Sequence, residues 1–347
     1  MIDAGDLLHV RTPNSEPRTQ NSELRTQNPE LRTLNNLPTF LIVGAVKAGT
    51  TSLHEYLQLH PEVYMSPIKE TNFFSDADMM FDDFNVDYKQ DVSINVDKFL
   101  SGDMEHKIHI AHVRTWEQYQ KLFRNIKNEK AIGEVSNSYL YLPSTATAIK
   151  NKLPEVKIVM ILRDPVERLY SQFLMNLKLG KIKEKDLLKE IEADQQKQKK
   201  GWGVSHLYLE VGNYYEQVKR YYDQFPKEQI KVILFDDFKK DAKGTMKDLF
   251  KFLGVDPEFE LDMSKRYNEA GMPRFGKLNY WLTQIGVYGL VKRIFPPDLK
   301  NKIKGLIYSQ ENIPKITEAE KNHLKAYYRE DRAKLAALVG RDLSNWD

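Results

Sequence analysis

Three short stretches of this chain carry side chains suited to holding anions and taking a proton. The first, FLIVGAVKAGTTS at 40–52, runs from an apolar segment through Gly44 into a loop with Lys47, Ala48 and Gly49, and then into Thr50, Thr51 and Ser52. That order reads as strand, loop, helix. The first N–H groups of a helix lack internal partners and sit at the positive end of its dipole, so such a junction favours a phosphate-like group. Glycines let the backbone approach it, a lysine adds a mobile cation, and the hydroxyls add donors. The second stretch, KIVMILRDPVERLYSQF at 157–173, ends an apolar run at Arg163 and starts a helix at Asp164-Pro165, with Ser171 about two helical turns on. Arg163 and Ser171 can then face one phosphate, a task that suits arginine's planar fork. The third is Glu70, set between Lys69 and the pair Phe73-Phe74. Packing there would strip water from the carboxylate and strengthen it as a general base. Each stretch also has a plainer reading: glycines that only turn the chain, a capped helix start, and a surface glutamate beside a lysine.

The first loop departs from the ATP and GTP pattern G-x-x-x-x-G-K-[ST], in which lysine follows the second glycine. Here Thr50 holds that place and the lysine precedes Gly49. Since the usual lysine bridges β- and γ-phosphates beside magnesium, the spacing favours a shorter 5′ group that needs no metal.

The elements that must position these residues follow from periodicity. Apolar runs at 40–43, 158–162 and 230–235, with 131–135, read as strands of a mainly parallel sheet. Leu53, Tyr56 and Leu57 fall at i, i+3, i+4 on a helix stopped at His60-Pro61. Trp116, Tyr119, Leu122, Phe123 and Ile126 mark a second helix. A tyrosine-rich helix precedes the turn at Pro226-Lys227, and a helix over 241–253 ends at Gly254. A last helix over about 317–339 buries Leu324, Tyr327, Tyr328, Leu335 and Leu338. Alternating strands and helices predict one α/β domain, P-loop-like and three-layered, with helices flanking the central sheet. Its span is residues 38–347. The first 37 residues, which repeat RTPNSEP, RTQNSEL and RTQNPEL, have too few apolar positions for a coiled coil and read as a disordered tail. Residues 76–115, with His106, His109 and His112, read as a solvated insertion rather than a metal site, and the lysine-rich residues 181–200 as a solvated helix or flap.

Composition narrows the function. A net charge of +3, from 52 basic and 49 acidic residues, is too balanced for nucleic acid as the main partner. The absence of cysteine excludes disulfides and thiolate metal sites and fits a reducing, cytoplasmic setting. No apolar run reaches the roughly 18 residues of a membrane span.

Taken together, the loop at 42–52, the K-E-x-x-F-F segment at 69–74 and the R-D-P-x-x-R-x-x-S segment at 163–171 resemble the sulfotransferases that use 3′-phosphoadenosine 5′-phosphosulfate (PAPS), nearer their glycan-modifying branch. The resemblance implies transfer of a sulfuryl group from PAPS to a hydroxyl or amine, with no metal. It implies that Lys47, Ala48, Gly49, Thr50, Thr51 and Ser52 hold the 5′ end and that Arg163 and Ser171 hold the 3′-phosphate. It also implies that Glu70 is the catalytic base, with Lys47 stabilising charge on the leaving oxygen. Residues 131–143 are similar to the family's E-K-x-P-x-Y segment, which puts Glu134 and Ser136 beside the acceptor, although Val135 replaces the lysine. A buried strand-end pair is the alternative there. The helix from 212 is similar to the family's G-x-Y-x-x-Q segment, placing Tyr214 near the cofactor, with plain core as the alternative. A basic loop over the cofactor would supply Arg274, with Lys277 beside it. The basic residues at 292–304 would attract an anionic acceptor or solvate two helices. The rival readings are a nucleotide kinase-like P-loop enzyme and a non-catalytic protein of this fold that binds PAP (3′-phosphoadenosine 5′-phosphate) or polysaccharide.

Overall fold

A computed structural model describes residues 36–263, 272–273, 308–309 and 313–347. The chain opens with β1 (Phe40–Gly44), α1 (Thr50–Leu57), β2 (Val63–Met65) and β3 (Ile68–Glu70), then α2 (Val86–Asp91), α3 (Val96–Ser101), β4 (Ile108–Ile110) and α4 (Trp116–Lys121). There follow β5 (Ala131–Val135), α5 (Ser138–Tyr141), α6 (Thr145–Lys152), β6 (Lys157–Leu162) and α7 (Pro165–Leu179). The remainder comprises α8 (Leu187–Gln195), α9 (Tyr214–Gln224), β7 (Ile230–Leu234), α10 (Phe235–Lys240), α11 (Ala242–Leu253), the antiparallel pair β8 (Met272–Pro273) and β9 (Tyr308–Ser309), and α12 (Glu318–Val339).

The central sheet has the order β2-β5-β1-β6-β7, every neighbouring pair parallel, with helices flanking it as expected. β1 is buried throughout and β6 nearly so, which is what an interior strand covered on both faces requires. Between β1 and β5 the ring of Phe40 lies over Gly133, its register partner; a Cβ there would come within 2.1 Å of the ring, so only glycine fits. With β1 between β5 and β6, the turns leaving all three strands open at one sheet edge, the crevice where parallel sheets bind ligands.

Local signals start α7 and α12 where the sequence predicts, whereas the helix predicted over Trp116–Ile126 ends at Lys121. Asp164 caps α7 by accepting the Val166 and Glu167 N–H groups at 2.7 and 3.1 Å, and Pro165 occupies the first helical position. Thr317 and Glu320 form a capping box at the start of α12. α12 packs back on the domain: Asp331 accepts the Tyr214 and Tyr215 N–H groups at 2.8 and 3.0 Å, and the Tyr328 hydroxyl donates to the Leu209 carbonyl at 3.0 Å. Leu335 and Trp346 lie in the main core.

Two expectations need correction. Residues 76–115 are not a solvated insertion: β4 pairs in parallel with β3, Glu70 opposite Ile110, and Val96, Leu100 and Met104 join the main core. The stretch 181–200 is not merely a solvated flap, because α8 buries Leu187 and Ile191 in a second cluster against α7. The predicted tail up to residue 35, the basic cluster at 292–304 and Arg274 and Lys277 lie outside the described residues.

Candidate active site

The turn after β1 ends in Gly49, whose φ of 106° is open to glycine but strained for other residues; an added Cβ would sit 3.0 Å from the Phe235 ring. No side chain caps α1, so its first N–H groups stay available, and Gly49, Thr50, Thr51 and Ser52 line a cleft of about 790 Å³. Lys47 enters the same cleft with its Nζ 3.5 Å from the Met175 sulfur. Burial, aided by the charges of Arg163, Lys178, Lys69 and Arg168, lowers its pKa from 10.5 to about 8. A site that depresses a lysine in this way is short of negative charge.

Because β6 lies beside β1, the second junction meets the first. Arg163 donates from Nη1 to the Lys47 carbonyl at 3.3 Å and from Nη2 to Glu167 at 3.2 Å, and its guanidinium lies 4.8 Å from the centre of the Phe235 ring. Ser171 lines the cleft two turns along α7. Arg168, between them in sequence, turns the other way and is fully buried, donating to Gln172 Oε1 at 2.6 Å and to the Tyr208 carbonyl.

Glu70, at the end of β3, lines the cleft opposite these residues and is buried. Its Oε1 accepts from Lys69 Nζ at 3.1 Å and from Asn137 Nδ2 at 2.7 Å, while Oε2 accepts no hydrogen bond among the described residues. His109 Nε2 stands 4.0 Å from Oε1. The aromatic pair does not shield this carboxylate as expected: Phe73 and Phe74 pack on Tyr119, with centroids 4.6 and 5.1 Å away. Asn72, at φ 57°, turns the chain between them and Glu70. One carboxylate oxygen is therefore fixed by two donors and the other is left for a proton.

Four expected site residues sit elsewhere. Ala48 is fully buried and forms the turn, its N–H donating to the Ala45 carbonyl at 3.2 Å. Tyr214 is buried in the core, 6.4 Å from the Trp346 ring, and does not line the cleft. Glu134 and Ser136 are fully buried rather than beside an acceptor. Thr71 and Ser136 each donate to Glu134 Oε1 at 2.6 Å, while Tyr119 and Tyr139 donate to Oε2 at 2.8 and 3.2 Å. Four hydroxyls saturate that carboxylate, and burial raises its pKa. It ties strands and helices together beneath the site.

The sequence reading missed Asn137, which holds Glu70, and a wall contributed by Tyr88 and Lys181. A polar residue two positions after a predicted strand was the available signal for Asn137. Among the described residues no group of three or more His, Cys, Asp or Glu side chains is arranged to hold a metal ion, and no helix is long and apolar enough to cross a membrane.

Comparison with known proteins bears on the family and the fold. The chain is 29% identical over 259 residues to carbohydrate sulfotransferase 15 of Rattus norvegicus, covering 65% of this chain and 45% of that one. It is 31% identical over 137 residues to the membrane-associated sulfotransferase kil1 of Dictyostelium discoideum, covering 40% of this chain and 22% of that one. The chain thus spans less than half the length of these relatives. Its fold matches the crystal structure of a sulfotransferase from Alicyclobacillus acidocaldarius with a TM-score of 0.64 and 29% identity, covering 89% of this chain and 98% of that one. A model of the sulfotransferase family matches residues 38–260, and the chain belongs to that family.

Proposed function

We propose that the chain is a PAPS-dependent sulfotransferase that moves a sulfuryl group to a hydroxyl or amine of a glycan. The observation that carries this reading is the convergence, in one cleft, of an uncapped helix start with Lys47, the Arg163 and Ser171 pair, and the half-anchored carboxylate of Glu70. The names of carbohydrate-modifying relatives support a glycan as acceptor.

The residues fit the donor. The free N–H groups of α1 and Lys47 would hold its 5′ end, and a bound anion would favour the charged form of this buried lysine. Arg163 and Ser171 would hold the 3′-phosphate. Bound PAPS supplies the sulfuryl group. Glu70 Oε2 takes the proton of the attacking hydroxyl or amine, while Lys69 and Asn137 keep the carboxylate from rotating. Lys47 offsets the negative charge that gathers on the departing oxygen, and its proton stays on Nζ. Lys47 and the backbone amides at the 5′ end and Arg163 at the 3′-phosphate are the groups that would face the donor's charge, so the reading calls for no metal, and turnover should survive chelators. The cysteine-free composition supports the cytoplasm as the working compartment.

Titration with PAP should raise the melting temperature, and labelled PAPS should transfer sulfate to a desulfated glycan. Glu70→Gln should cut turnover about a hundredfold or more and leave PAP affinity nearly intact. Wild-type turnover in Glu70→Gln would remove the base assignment, and PAP binding without transfer to any acceptor would favour a non-catalytic binding protein.

A further inference from the structure

Beyond Glu70 the cleft wall is built by α2, whose Tyr88 lines it and is backed by Trp202 and Gly203. Its hydroxyl lies 3.1 Å from Trp202 Nε1. An indole N–H only donates, so the tyrosine oxygen is the acceptor, and its own proton has no hydrogen-bond partner among the described residues. Burial, with a contribution from the Glu70 charge, raises the pKa of this hydroxyl and keeps it a donor.

The rest of the side chain is clamped. Phe84 meets the ring edge-on with centroids 4.8 Å apart. Gly203, at φ 76°, closes on both rings so tightly that a Cβ would fall 2.5 Å from Tyr88 Cδ1 and 3.0 Å from Phe84 Cδ1. The backbones are tied as well: the Asn85 N–H donates to the Gly203 carbonyl at 2.9 Å, and Asn85 Oδ1 accepts the Tyr88 N–H at 2.8 Å. Tyr88 is half-buried at the edge of the cleft, so its oxygen is fixed by the indole while its proton is left for a partner within the cleft.

We propose that Tyr88 is an acceptor-positioning residue, its hydroxyl donating a hydrogen bond to a sugar oxygen next to the group that is sulfated. The proposal rests on the glycan sulfotransferase reading. Trp202 and Gly203 act through Tyr88: the indole turns the proton toward the cleft and the glycine lets the wall close.

The test compares wild type, Tyr88→Phe and Trp202→Phe with labelled PAPS and three probes: de-N-sulfated heparin, desulfated chondroitin and neutral p-nitrophenyl glycosides. For every probe that wild type sulfates, Tyr88→Phe should raise the acceptor KM about five- to tenfold, with kcat and PAP affinity close to wild type. Trp202→Phe, which keeps an aromatic ring but loses the N–H, should raise it about two- to threefold. A purely structural tyrosine would lower the melting temperature and kcat together and leave KM alone. The charged and neutral probes show whether the partner oxygen belongs to a carboxylate or a hydroxyl. An acceptor KM in Tyr88→Phe equal to that of wild type overturns the inference and leaves the sulfotransferase reading standing. A wild type that binds PAP yet sulfates none of the probes sinks both.

Discussion

Raising the pH from about 7 to about 9 should weaken PAP binding roughly tenfold in wild type and hardly at all in Lys47→Arg. Burial, reinforced by Arg163, Lys178, Lys69 and Arg168, lowers the Lys47 pKa from 10.5 to about 8. The sign follows directly: the free protein sheds this proton as pH passes 8, whereas a bound anion favours the charged amine. Affinity is therefore full below about 8 and falls about tenfold per unit above it, with only about one molecule in ten still charged at pH 9. The phosphates of PAP complete their second ionisation near pH 6, so they add no slope in this window. Because the folded pKa lies below the ordinary value, the free protein also gains stability as pH rises from about 8 toward 10.5. Isothermal titration calorimetry in two buffers of different ionisation heat reads the linkage, and proton uptake should approach one per PAP at the upper end. Arginine stays charged throughout, so Lys47→Arg removes the titration and keeps the cation. If the arginine variant showed the same slope, another group would be titrating and the assignment of Lys47 to the 5′ end would fail.

Glu134→Ala should cost about 3–5 kcal/mol in urea or thermal unfolding, because it strands the Thr71, Ser136, Tyr119 and Tyr139 hydroxyls in a dry interior; a loss under about 1 kcal/mol would mean those hydroxyls find other partners. Gly49→Ala, forced to φ 106° with its methyl against Phe235, should destabilise by about 1–3 kcal/mol and also weaken PAP binding, which unchanged calorimetric affinity would contradict.

How far the sequence could be read depended on how local each signal was. The apolar runs of β1 and β6, the Asp164-Pro165 start of α7 and the glycine that ends α11 each declare themselves within a few residues. So did the two junctions, whose meeting needed only that their strands be neighbours. Glu134 was ambiguous because a strand-end carboxylate can face either way, and its four partners come from positions 71, 119, 136 and 139. β4 was hidden by its length, three residues in a stretch rich in aspartate and histidine. Tyr88 and Trp202 are 114 residues apart, and no periodicity links them.

The carboxylate that α12 lends to the start of α9 has a bearing on where this unit can be cut. The family match stops at residue 260, yet Asp331 supplies the counter-charge for the first amides of α9, and Leu335 and Trp346 plug the same interior as the sheet. The boundary of resemblance is therefore not the boundary of autonomous folding. Trimming the gene to the matched stretch would strip the Tyr214 and Tyr215 amides of their acceptor and leave an apolar socket open to water.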